Sequence, residues 1–139
     1  MKKTKKTLTT ILCVMCILTL AMPPCYATSS PTNMPRWNNV SDVNTSLDFY
    51  GNLGVVASSI GKGSTVTSLT GVLTVYEYYA GEWNNVYSTS KTTTRNTLFL
   101  SFEFDGISGR EYKAELIVIA YNGTTVIEEI TDVKYAMCP

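Results

Sequence analysis

From Val40 onward the chain alternates apolar and polar residues with a period of two, and β-branched and aromatic residues dominate the apolar positions. That alternation predicts seven strands, at 43–49, 53–60, 66–79, 83–91, 97–104, 111–121 and 125–135. Gly and Asn interrupt them at Gly51-Asn52, Gly61-Lys62-Gly63, Ala80-Gly81, Asp105-Gly106 and Asn122-Gly123, the last being the strongest hairpin signal in the chain. Gly71 falls inside the third strand and reads as a bend or bulge. No segment carries the 3.6-residue periodicity of an amphipathic helix, and no repeat is visible. Seven short strands with tight turns predict an all-β fold, a single antiparallel seven-stranded immunoglobulin-like β-sandwich occupying 40–139.

The period also assigns faces. In the third strand Leu69, Gly71, Leu73 and Val75 form the compact aliphatic set expected in the core, which turns Val72, Thr74, Tyr76 and Tyr78 outward. In the sixth, Ala114, Leu116, Val118 and Ala120 point inward, and Ile117, Ile119 and Tyr121 point out. These two strands are neighbours in the sandwich topology, so their outer faces merge into one patch. Trp83 and Tyr87 on the fourth strand are expected to extend it. The candidate binding residues are therefore Tyr76, Tyr78, Trp83, Tyr87, Ile117, Ile119 and Tyr121.

The stretch Gly109-Arg110-Glu111-Tyr112-Lys113-Ala114-Glu115-Leu116 resembles the E–F corner of immunoglobulin-like and fibronectin type III domains. The resemblance implies that Tyr112 is a structural residue whose hydroxyl bonds back to the preceding loop. The chain lacks the inter-sheet Cys pair and core Trp of antibody domains. A looser resemblance, carried by Arg36-Trp37, the late Gly-x-x-Tyr strand and the N-terminal segment described next, is to small secreted proteins of Gram-positive bacteria with domains of unknown function. It implies no activity.

Ahead of the strands lies an export signal. Lys2, Lys3, Lys5 and Lys6 open it, an apolar run covers 8–21, and Pro23-Pro24 precede Cys25-Tyr26-Ala27, which offers small residues at the −3 and −1 positions. Residues 1–27 are read as a signal peptide cut after Ala27, and 28–39 as a flexible, polar, proline-punctuated lead-in. The run falls short of a transmembrane span of about 20 residues. The mature protein is thus expected to be secreted, with no membrane anchor after cleavage. Cleavage after Ala27 leaves Cys138 as a lone thiol, read as exposed on a mobile tail and available for an intermolecular disulfide. Cleavage after Ala21 would retain Cys25 and open a Cys25–Cys138 bridge.

Charge and chemistry narrow the function. The eleven Asp and Glu residues all follow the leader, whereas only seven of the eleven basic residues do, so the zero net charge of the whole chain hides an acidic domain unsuited to nucleic acid. The chain has no histidine, which removes Ser-His-Asp and Cys-His catalysis and most zinc sites. The carboxylates, Glu77 among them, read as solvent-facing or turn positions with no spacing suggestive of a catalytic pair. The expectation is a non-catalytic module with no cofactor and no metal. It binds a protein, or a second copy of itself, through the aromatic face. A cell-wall or host glycan ligand is the alternative, and a purely structural or antagonistic secreted factor is another.

Overall fold

The computed structural model describes residues 37–139. The segment read as a signal peptide, the two cleavage positions considered for it, Cys25 and most of the lead-in lie outside the described residues. Seven antiparallel strands follow in order: β1 (Val40–Tyr50), β2 (Leu53–Lys62), β3 (Ser68–Tyr79), β4 (Glu82–Thr93), β5 (Thr97–Asp105), β6 (Glu111–Asn122) and β7 (Thr125–Met137). They form a three-stranded sheet, β1-β2-β5, and a four-stranded sheet, β4-β3-β6-β7. No helix occurs among the described residues. The fold is an all-β, seven-stranded antiparallel sandwich, with the fourth strand hydrogen-bonded to the third in the larger sheet.

Six of the strands bury the face that their alternation marks as apolar, whereas β4, at the edge of the larger sheet, has no buried residue. Leu47, Val56, Ile60, Leu98 and Leu100 from one sheet meet Leu69, Leu73, Val75, Leu116, Val118 and Ile130 from the other. A fully buried aliphatic side chain of this kind contributes about 1.5–3 kcal/mol. Among these apolar groups the Ser58 hydroxyl donates to Thr45 Oγ1 at 3.3 Å, so both polar atoms are paired inside.

Gly71 corrects the bend reading. The β3–β6 and β3–β4 ladders run through it without a register shift. A Cβ there would stand 2.7 Å from Leu100 Cδ1 and 2.8 Å from Leu98 Cδ2, so the glycine is needed because two leucines of the opposite sheet occupy that space. The irregularities lie elsewhere: one at Ser41 in the β1–β2 ladder, one at Val86 in the β3–β4 ladder and one at Ile127 in the β6–β7 ladder. The last hairpin also turns one residue later than its Asn-Gly motif suggests. Asn122 pairs with Thr125, which leaves Gly123, at φ +61°, and Thr124 in the loop.

Tyr112 is buried at the start of β6. Its hydroxyl accepts a hydrogen bond from the Ile107 amide (2.9 Å) and donates one to Glu77 Oε2 (2.6 Å). Arg110 Nη1 pairs with Glu77 Oε1, and the Arg110 guanidinium lies 4.1 Å from the centroid of the Tyr79 ring. Burial, then the bond to the Glu77 carboxylate, pushes the Tyr112 hydroxyl up to about 12, because both oppose a second negative charge there. Glu77 is therefore not at a solvent-facing position. It continues the inward parity of Leu73 and Val75 and is buried.

Cys138 corrects the tail reading. Its amide donates to Arg110 O and its carbonyl accepts from Gly109 N, both at 2.9 Å, which prolongs β7 past Met137. These bonds turn the free thiol inward, fully buried, with Sγ 3.9 Å from Gly51 O. At the other end Trp37 packs against the core, and the Glu128 carboxylate accepts from the Asn38 and Asn39 amides at 2.9 and 2.7 Å.

Candidate functional site

Pairing of β3 with β6 places Val72 opposite Ile117, Thr70 opposite Ile119, Ser68 opposite Tyr121 and Tyr76 opposite Lys113. The inward parity of Leu73, Val75, Leu116 and Val118 turns all of these onto the outer face of the four-stranded sheet. Tyr76, Ile117, Ile119 and Tyr121 are half-buried there by their own neighbours, and Tyr78 is exposed over 43% of its surface.

An aromatic cluster occupies one end of this face. Trp83 lies opposite Tyr78 in the β3–β4 ladder, with ring centroids 5.1 Å apart and planes tilted 52°. Tyr135 of β7, 60% exposed, lies 5.8 Å from Trp83 at 59°. Lys113 runs between the rings. Its Nζ is 4.2 Å from the Tyr76 centroid, 5.5 Å from the Trp83 centroid and 3.4 Å from Glu115 Oε2, while the Tyr76 hydroxyl donates to Glu115 Oε1 at 3.4 Å. The ammonium is thus covered by π faces and matched by a carboxylate, and only 16% of the Lys113 side chain is exposed. The other end carries Val72, Ile117 and Ile119, bordered by Ser and Thr: Thr70 and Thr92 share a 2.8 Å hydrogen bond across the ladder, and Thr74 and Ser88 one of 3.0 Å.

Two residues depart from the sequence reading, each because of a bulge. Trp83 and Tyr87 share a parity and were expected on one face. The extra residue Val86 inverts the alternation between them, so Tyr87 pairs with Val75 and turns to the inner side. There it stacks on Phe102 of the opposite sheet, with centroids 4.3 Å apart. Tyr135 was missed for the converse reason. Continuing the hairpin register without interruption sets it opposite Tyr112, on the inner face. The bulge at Ile127 moves it opposite Lys113 and outward. No signal in the local sequence marks either bulge.

Among the described residues no group of three or more carboxylates or cysteines is placed to hold a metal ion, and no helix is long and apolar enough to cross a membrane. The fold and this face define a class: a small β-sandwich that presents a tilted aromatic cluster on its larger sheet. No protein-family model matches the chain, and no curated protein matches its sequence. Two solved structures are similar in fold. One is Spo0M, the sporulation control protein of Bacillus subtilis, at 13% identity and a TM-score of 0.47 over 73% of this chain and 49% of that one. The other is OgpA of Akkermansia muciniphila, at 18% identity and a TM-score of 0.42 over 73% of this chain and 29% of that one. The chain spans less than half the length of either.

Proposed function

We propose that this protein is a secreted, non-catalytic binding module that engages a protein surface, a second copy of itself foremost, through the outer face of the four-stranded sheet. The observation that carries the reading is the cluster of Tyr78, Trp83 and Tyr135, with Lys113 lying between Trp83 and Tyr76. Aromatic anchors in a pre-built arrangement bind with little loss of side-chain entropy, and Tyr and Trp are the residues that most often dominate protein contacts. Between protein and glycan, ring orientation favours protein. Planes tilted by 52° and 59° cannot lie together against one flat sugar chain, whereas they interdigitate with the side chains of another protein. Secretion rests on the N-terminal segment, with its basic start, apolar run and Cys25-Tyr26-Ala27. The absence of histidine from the chain and the engagement of the Glu77 carboxylate by Arg110 and Tyr112 support a non-catalytic role.

Sedimentation velocity over a range of concentrations tests the contact. The purified protein should self-associate, and Tyr78→Ser with Tyr135→Ser should sediment as a monomer with an unchanged circular dichroism spectrum. A wild-type protein that stays monomeric up to the highest concentration reached removes self-pairing. Intact mass measurement of the exported protein tests the signal, with a mature chain beginning at Thr28 as the expected result.

A further inference from the structure

The outer face of the smaller sheet carries a shallow cleft of about 260 Å³. It spans two rows of the β1–β2–β5 register: Asn44, Ser59 and Phe99 lie side by side in one, and Ser46, Ala57 and Ser101 in the next. The central strand supplies a low floor of Ser59 and Ala57. The flanking strands stand about 10 Å apart, with Phe99 rising along one side and Asn44 along the other.

Two features of this cleft are not explained by folding. Phe99 is 62% exposed, and the short side chains beside it do not cover its ring. In addition, none of the four polar side chains around it, Asn44, Ser46, Ser59 and Ser101, bonds to another group among the described residues. The hydroxyl pairing of these strands is the Ser58–Thr45 bond on the other face. Each of the four both donates and accepts. The rows on either side are acidic, with Asp42 on one and Asp48 and Glu103 on the other, and no lining residue is charged.

We infer that this cleft binds one neutral pyranose ring, its C–H face stacked on Phe99 and its rim hydroxyls hydrogen-bonded to Asn44, Ser46, Ser59 and Ser101. A sugar ring is apolar on its face and donates and accepts around its rim, which matches one aromatic wall set among hydroxyls and an amide. A wholly apolar ligand would leave those four groups desolvated and unpaired. An acidic sugar would meet Asp42, Asp48 and Glu103. The openness of the site and its single aromatic wall set the affinity in the millimolar range. The cleft lies on the sheet opposite the aromatic cluster and shares no residue with it, so the two readings stand or fall separately.

The test is a ¹H–¹⁵N NMR titration of the purified protein with glucose, galactose, N-acetylglucosamine and, as the anionic comparison, glucuronic acid. At least one neutral sugar should produce saturable shifts confined to Asn44, Ser46, Ser59, Phe99 and Ser101, and glucuronic acid should bind about tenfold more weakly or not at all. Phe99→Ala, which removes an exposed ring and should keep the native spectrum, should weaken binding at least about tenfold, and Trp83→Ala should leave it unchanged. Saturable shifts with none of the neutral sugars, equal binding of glucuronic acid, or binding that survives Phe99→Ala would each overturn the inference.

Discussion

Trp83 and Tyr87 stand four positions apart on the same strand, yet their side chains lie on opposite faces of the sheet. Trp83 packs against Tyr78 and Tyr135 outside, and Tyr87, 46% exposed, stacks on Phe102 of the opposite sheet at the open edge of the sandwich. The single extra residue at Val86 separates an outer aromatic cluster from an inner aromatic contact.

The two tryptophan and tyrosine positions should therefore respond differently to truncation. Tyr87→Ala removes an inter-sheet stack and should cost about 1–2 kcal/mol of stability, read from urea unfolding, with association unaffected. Trp83→Ala should weaken association and change stability by less. Equal loss of stability in both variants would contradict the opposite-face arrangement.

Gly71→Ala probes the approach of the two sheets. The added methyl would enter space held by Leu98 and Leu100, both buried, and neither can move without disturbing its own neighbours. Overpacking of this kind costs about 1–3 kcal/mol. A thermal midpoint equal to that of the wild type would show that the leucines rearrange freely.

The Tyr112 hydroxyl predicts an alkaline limit to stability. Its pKa is raised from 10.0 to about 12 by burial first and by Glu77 second, so in the folded state it holds its proton where the unfolded chain has lost it. The stabilisation is complete below pH 10 and is lost as pH rises from about 10 to about 12, at about 1.4 kcal/mol per pH unit and about 2–3 kcal/mol in all. Tyr112→Phe should flatten that part of the denaturation profile. At neutral pH it should cost about 1–3 kcal/mol, since it leaves the Ile107 amide and a Glu77 oxygen without their partner.

Cys138 should react slowly with a thiol reagent in the native protein and rapidly in denaturant, because the thiol is buried and the backbone on both sides is hydrogen-bonded to the β5–β6 connection. Non-reducing electrophoresis of native protein should show no disulfide-linked dimer. Fast modification under native conditions would mean that the last turn of chain opens readily.

Most of the sandwich was legible in the residues. The strand positions and the inward set of Leu69, Leu73, Val75, Leu116 and Val118 follow from a two-residue period read against glycine-marked turns, and the adjacency of β3 and β6 follows from the sandwich topology that seven such strands imply. Even the burial of Glu77 was available, as the next inward position after Val75. What was not legible shares one cause. Tyr87, Tyr135, Gly71 and Cys138 were misplaced or misread because their settings depend on residues distant in sequence. A bulge answers to the partner strand, the space at Gly71 is set by β5, and the chain end is held by Gly109 and Arg110.

The sequence by itself determined the local quantities: that the chain forms strands, where they end, and which side of each is apolar. It did so because side-chain alternation in a strand is fixed by backbone geometry alone. Only the tertiary structure decided how those faces were composed, which rings meet around Lys113, and which side chains stand beside Phe99. Cross-strand neighbours are set by register, and one unpaired residue in one ladder inverts every face beyond it.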